Sequence, residues 1–359
     1  MPADLPVSTA LQAVPESFFR EAESVVRCIV STASTTSEFC FSIDGLVIRC
    51  RFHDLALVEK IRPAFEHLTL TTPLSSADLT VHLWTEHPGL PSVPPAHPLM
   101  METARKHLLR LCSDARFKAF DEDWLGSRTW IDLDASEAFY CVRNCATLPY
   151  YETAAPLRAL LNAFLNRHRR QLVHASAVGD SRGGLLLVGE GGSGKSSTAL
   201  LCLDSPLFHL ADDWCVIAPG SSPRIASAYN SAKLRPDNLH RFPALAARIH
   251  NHDKLDEEKA TLFLHRHFPE KLLSACPARA LLLPTVTGEK TTRVERVAGT
   301  HAWRAMVSCT LAQIPGADRD SIALMSAFSA RLPAYRLLLG RDLPAIPGVL
   351  SGLLDQLTA

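Results

Sequence analysis

The chain has 359 residues, 47% of them hydrophobic and 21% charged, a globular composition far from the disordered regime. Lys+Arg and Asp+Glu balance at 37 each, so no net field draws it toward nucleic acid. No uninterrupted apolar run reaches the roughly twenty residues a membrane-spanning helix needs, so no membrane partner is expected.

That length predicts two domains. Residues 1 to 150 read as a small α+β module and residues 151 to 359 as an α/β domain. Phe39 to Phe52 alternates apolar and polar residues around Asp44-Gly45, which predicts a hairpin with a type I′ turn. Leu57, Ile61, Phe65 and Leu68 have helical spacing, with Pro63 set to kink or restart that helix. Asp78 to Trp84 predicts a strand. Five prolines between Pro88 and Pro98 predict a loop, and Met100 to Cys112 a helix after it. Two short strands are expected around Asp134-Ala135-Ser136.

The pattern then sharpens. Ala154 to Arg167 predicts a helix, and Leu172 to Val178 a strand that turns through Gly179 to Gly184 into a second strand, Leu185 to Val188. Leu207 to Ala211 predicts another strand, ending at Asp212-Asp213. Arg224–Tyr229, Ala278–Leu283, Thr291–Val297 and Ala334–Leu339 complete the strand candidates. Helices are expected over Thr300 to Thr310, capped by Thr300, over Ala317 to Arg331, and after Pro347.

Between the second strand and a helix beginning near Ser197 lies Gly189-Glu190-Gly191-Gly192-Ser193-Gly194-Lys195-Ser196, which matches G-x-x-x-x-G-K-[ST] in full. Strand, glycine-rich turn and helix form the context in which backbone N–H groups cradle phosphates. Gly189, Gly191, Gly192, Ser193, Gly194, Lys195, Ser196 and Ser197 are therefore the candidate nucleotide contacts. Lys195 would reach the β- and γ-phosphates of ATP, and the Ser196 hydroxyl would hold Mg²⁺. Asp212 follows Lys195 by only seventeen positions, and His174 precedes Gly189 by fifteen on the neighbouring strand. Histidine, lysine and the carboxylate pair can then converge on one phosphate.

His174 to Val178, Gly189 to Leu200 and Leu210-Ala211-Asp212-Asp213, at these spacings, resemble the HPr kinase/phosphorylase catalytic domain. A more distant resemblance runs to the phosphoenolpyruvate carboxykinase core. The likeness is strong over roughly 172 to 218 and continues in general layout to the C-terminus. The segment Tyr229 to Pro236 and the ending Tyr335 to Gly340 are similar to HPr-kinase-related proteins of bacterial gene clusters, including those that phosphorylate lasso-peptide precursors. The family's glycine- and arginine-rich signature is not found downstream of the aspartates, so the resemblance does not extend to HPr as acceptor.

The resemblance implies an ATP- and Mg²⁺-dependent kinase that phosphorylates a hydroxyl, foremost a serine of a peptide or protein. A small-molecule hydroxyl kinase and a non-catalytic nucleotide-reading regulator are the competing readings. It makes Asp212 the base, Asp213 a metal contact, and His174 a hydrogen-bond donor to the γ-phosphate or a tuner of Asp212. Residues 1 to 150 are expected to wall the acceptor cleft.

Lys233, Arg235 and Arg293 are weaker candidates for a phosphate clamp, and His250-Asn251-His252 and His265-Arg266-His267 read as solvated surface. Ten cysteines without a C-x-x-C pair read as free thiols. With no secretory signal at Met1 to Leu5, the expected location is cytoplasmic, and assembly into a homo-oligomer stays open.

Overall fold

A computed structural model describes residues 7–32, 36–72, 75–86, 101–104, 107–122 and 124–358. The proline-rich segment from Pro88 to Pro98 lies outside them. The first half runs α1 (Val7–Thr32), β1 (Ser37–Ile43), β2 (Leu46–Phe52), α2 (Leu55–Ile61), β3 (Leu79–Thr85), β4 (Met101–Ala104), β5 (His107–Ser113), β6 (Phe117–Glu122), β7 (Ser127–Asp132) and β8 (Glu137–Val142). These strands make one sheet in the order β1-β2-β3-β8-β7-β6-β5-β4. Strand β3 is parallel to β2 and β8, and every other neighbouring pair is antiparallel.

Local chemistry explains much of this half. Asp44 and Gly45 take φ of 48° and 85°, the two positive values a type I′ turn needs, and Ile43 pairs with Leu46 across them. Helix α2 ends at Ile61 and a tighter helical segment, Arg62–Leu68, restarts with Pro63 in its first turn. Leu57, Ile61, Phe65 and Leu68 are all buried. The helix expected over Met100 to Cys112 is instead the β4–β5 hairpin. Its β5 strand pairs from Leu109 to Ser113 with β6, so a partner distant in sequence overrides the local pattern. Helix α1 was not expected. Its Phe19, Ala22, Val25, Val26 and Ile29 cover one face of the sheet, over Trp84, Phe117, Trp130 and Phe139.

The second half contains α3 (Tyr150–Ala154), α4 (Arg158–Arg167), β9 (Gln171–Val173), β10 (Ala175–Asp180), β11 (Gly183–Val188), α5 (Lys195–Leu201), β12 (Phe208–Ala211), β13 (Cys215–Ala218), β14 (Arg224–Ser227), β15 (Ser231–Leu234), α6 (Pro243–Ala246), β16 (Ala260–Phe263), β17 (Ala275–Val286), β18 (Arg293–Val297), α7 (Gly299–Leu311), α8 (Arg319–Ser329), β19 (Ala334–Leu339) and α9 (Ile346–Thr358). Nine strands form a second sheet, and β15 with β16 a separate ribbon. At its centre β11 runs antiparallel to β10 and parallel to β17, which is parallel in turn to β19. The whole is a mixed α/β molecule with several sheets.

Three boundaries differ from expectation. The helix predicted from Ala154 breaks at Leu157, which takes a left-handed φ of 62°. The strand predicted over Leu172 to Val178 breaks at His174, because β9 pairs with β13 while β10 pairs with β11 and β12. Helix α7 starts one residue before Thr300, behind Ala298 and without a side-chain cap, whereas Asp318 and Ser321 form a capping box on α8.

The largest core crosses position 150, joining Phe41, Phe52 and Phe65 to Leu160, Trp214 and Tyr229. Asn230 reinforces the join by donating through Nδ2 to the carbonyls of Pro63 (2.7 Å) and Ala64 (3.0 Å). Two histidines, His209 buried and His67 half-buried, add a pH term. Burial first, then neighbouring histidines, push His67 down to about 3. Burial pushes His209 down to about 4 against the opposing pull of Asp212. Their stabilising contribution is full above the unfolded value near 6.5 and is lost as pH falls toward these folded values. Urea midpoints are expected to drop between about pH 6.5 and 4, and His209→Leu to flatten that drop. A midpoint independent of pH over this range contradicts the neutral-histidine account.

Candidate functional site

The loop after β11 is shaped by glycine. Gly189, Gly192 and Gly194 take φ of 148°, 86° and 104°. A Cβ on Gly194 would also press on Leu339 Cδ1, the movable end of a side chain, so the positive φ is what reserves this position for glycine. Added Cβ atoms at Gly191 and Gly192 would meet nothing within 4 Å, leaving the backbone there open to a ligand. The Thr198 N–H is the first in α5 to bond back, to Gly194 O at 2.9 Å, so those of Lys195, Ser196 and Ser197 lack an intrahelical partner. Lys195 is buried and donates to the loop's own carbonyls, Gly189 O at 2.6 Å and Glu190 O at 3.0 Å. An ammonium has three protons, so one remains for a phosphate. Burial pulls its pKa down, opposed by Cys309 and the aspartate pair.

The two aspartates lie just past the end of β12. Asp213 has a φ of 67°, and the Trp214 N–H bonds to Asp212 O at 2.8 Å, closing a three-residue turn of the strained, positive-φ kind. That turn sends the two carboxylates different ways. Asp212 points inward, 1% exposed, with Oδ1 accepting from the Ser176 hydroxyl (2.6 Å) and Oδ2 from the Lys233 N–H (3.0 Å). Asp213 accepts from His174 Nε2 at 3.0 Å and pairs through Oδ2 with the Lys233 ammonium. Burial pushes the Asp213 carboxyl up, but Lys233 and His174 together outweigh it and hold it well below the usual range.

His174 sits where β9 gives way to β10, its N–H donating to Thr310 Oγ1 at 3.1 Å. Gln313 Nε2 lies 3.1 Å from its Nδ1, an arrangement that assigns the ring proton to Nε2, facing Asp213. The ring meets Trp214 edge-on with centroids 5.3 Å apart.

A cleft of about 830 Å³ unites these groups. Gly191, Gly192, Gly194, Lys195, Ser196 and Ser197 line one side, with His174, Asp213 and Lys233 beside them. Lys259 and Arg235 add positive charge, and Gln313 closes the wall from the loop after α7. Glu122 and Trp124 of the first half, with Tyr150, Tyr151 and Arg158, form the far end. Gly189, Ser193 and Asp212 stand behind this surface, and the Ser193 hydroxyl is buried without a partner.

The resemblance made Asp212 the base; in the structure Asp212 is buried with both carboxylate oxygens hydrogen-bonded, and Asp213 is the aspartate that lines the cleft. Sequence reasoning ranked Lys233 with Arg293, yet Arg293 lies on β18, paired with Glu289 and Glu295, and is absent from the cleft. Gln313, Lys259, Tyr150 and Arg158 were missed, since no motif marks them.

Among the described residues, no group of three or more His, Cys, Asp or Glu side chains could hold a metal ion, and no helix is long and apolar enough to cross a membrane. Cys50, Cys141, Cys202, Cys215, Cys276 and Cys309 are buried free thiols.

No family model and no curated protein matches the chain. A distant structural likeness runs to the Hpr(Ser) kinase/phosphatase from Coxiella burnetii, at 10% identity and a TM-score of 0.31, over 53% of this chain and 99% of that one.

Proposed function

We propose that the chain is an ATP- and Mg²⁺-dependent kinase that transfers the γ-phosphoryl to a hydroxyl, foremost a serine of a peptide. One observation carries this reading: the glycine loop, Lys195, Ser196 and the Asp213–His174–Lys233 cluster share a single cleft. A carboxylate oriented from two sides beside the glycine loop supplies the proton acceptor that transfer to a hydroxyl needs.

Phosphoryl transfer needs positioning, charge neutralisation and a proton acceptor. The open backbone at Gly191 and Gly192 fits phosphate oxygens, and Lys195 supplies positive charge against them. Ser196, which lines the cleft, is the residue whose hydroxyl would hold Mg²⁺. When bound, Mg²⁺ neutralises charge on the β- and γ-phosphates and keeps part of its water shell.

Asp213 takes the proton of the acceptor hydroxyl, the role the sequence resemblance gave to Asp212. In the resting protein the Lys233 ammonium makes it a weak base. Phosphate oxygens that draw Lys233 away raise its basicity at the moment it is needed. Its position as base leaves it unfree for the metal contact the resemblance implied. His174 keeps the carboxylate aimed, with Gln313 fixing the tautomer. The sequence resemblance suggests ribosomal-peptide tailoring, of the lasso-peptide type, as the context and the cytoplasm as the location.

The test is incubation with γ-labelled ATP, Mg²⁺ and a panel of serine peptides, any precursor peptide encoded beside the gene, and free serine. Label on a serine hydroxyl is the expected result. ATP binding by calorimetry with no label in any acceptor makes the protein a nucleotide-reading regulator instead.

A further inference from the structure

The far end of the cleft differs in chemistry from the phosphate end. Glu122, the last residue of β6, lines it and is 7% exposed. Among the described residues its carboxyl has no hydrogen bond and no ion pair. Two neighbouring acids are engaged. Glu152 accepts from Tyr140 Oη (3.1 Å), the Leu157 N–H (3.1 Å) and Arg158 Nη2 (3.1 Å). Asp121 lies 3.8 Å from the Arg128 guanidinium. Among the described residues, Glu122 is thus the cleft-lining carboxyl of this end that no cation pairs, and Arg158 beside it is held by Glu152. Burial, then the charge of Glu152, push it up to about 8 against the opposing pull of Arg158, so it stays protonated at neutral pH until a further positive charge arrives.

Aromatic side chains connect this end to the phosphate end. The Lys233 ammonium, paired with Asp213, lies 5.9 Å from the centroid of Tyr150. Tyr150 meets Tyr151 edge-on at 5.5 Å, and the Arg158 guanidinium lies 5.7 Å from the Tyr151 ring. Trp124 lines the same end.

We infer that Glu122, with Trp124 and Tyr151, forms a subsite for a positively charged side chain flanking the serine that is phosphorylated. The inference rests on the kinase reading above and adds a selectivity to it. An entering lysine or arginine lets Glu122 ionise and form a charge-assisted bond, and its alkyl stem and charge meet aromatic faces. An acidic residue there would meet the Glu122 carboxyl, while the Arg158 guanidinium at the same end is already paired with Glu152. The cleft thus differs at its two ends, cationic where phosphates bind and, where the flanking residue docks, lined by an unpaired carboxyl that ionises when a positive charge arrives.

The experiment uses the full-length protein with Mg²⁺-ATP and serine-centred octapeptides bearing lysine, norleucine or glutamate at each flanking position. Lysine is expected to exceed norleucine at one flanking position by roughly tenfold or more in kcat/KM. Glu122→Gln should erase that preference with ATP affinity kept, and Glu122→Lys should shift it toward glutamate peptides. Equal labelling of the three peptide classes by the wild type, or a preference that survives Glu122→Gln, overturns the subsite and leaves the kinase reading standing. ATP binding with no peptide labelled overturns both.

Discussion

Lys195→Ala is expected to weaken ATP binding about ten- to a hundredfold and to abolish measurable transfer. A single charge-assisted bond contributes about 1.5–3 kcal/mol, which sets the size of the binding loss. Lys195 also satisfies the carbonyls of Gly189 and Glu190 from within the loop. Removing it leaves those oxygens without that donor, so the loop loses its internal tie as well as its charge for the phosphates. Arginine is no substitute, since its planar, forked head cannot donate to the two adjacent carbonyls from the same buried spot. Titration calorimetry with ATP and Mg²⁺ reads the effect directly. An unchanged affinity would remove the glycine loop from nucleotide binding altogether.

The second large effect separates the two aspartates. Asp213→Asn removes the carboxylate that faces the cleft, and transfer should fall by about a hundredfold to ten-thousandfold. ATP affinity should hold or rise, because Lys233 loses its resting partner and is left to the phosphates. Asp212→Asn should behave differently. The amide keeps one acceptor oxygen for the Lys233 N–H, and the Ser176 hydroxyl can reverse to accept from the new amide. The expected cost is about 1 kcal/mol of stability, with transfer retained to within a few-fold. Single-turnover kinetics with denaturant titration distinguish the pair. Loss of transfer in Asp212→Asn with retention in Asp213→Asn would return the base to the position the sequence resemblance gave it.

What could be read along the chain was what neighbouring residues decide among themselves. Asp44-Gly45 forms its turn because those two residue types tolerate positive φ wherever they stand. Pro63 stops one helix and starts another because it lacks an N–H, whatever lies around it. Gly189 to Ser196 carries its loop in its own composition, which is why the candidate nucleotide contacts could be named before any tertiary contact was known.

Other features were set by partners distant in sequence. Residues 107 to 113 became a strand because β6 offered its edge to them, and no local pattern can state that. His174 stands at a break because β9 and β10 pair with different strands.

The same division runs through the site. By itself the sequence determined that a glycine loop, a lysine, a serine and a pair of aspartates lie at these spacings. It also determined that a histidine precedes them on a strand that turns back. Only the tertiary structure decided which aspartate faces the cleft. That choice depends on a strained turn held by His174 from a neighbouring strand and Lys233 from the β15–β16 ribbon. It also brought Glu122 from the first half opposite the loop, with no motif to mark it. Motifs encode backbone shape over a few residues, whereas the direction and ionisation of a side chain depend on charges and packing drawn from the whole fold.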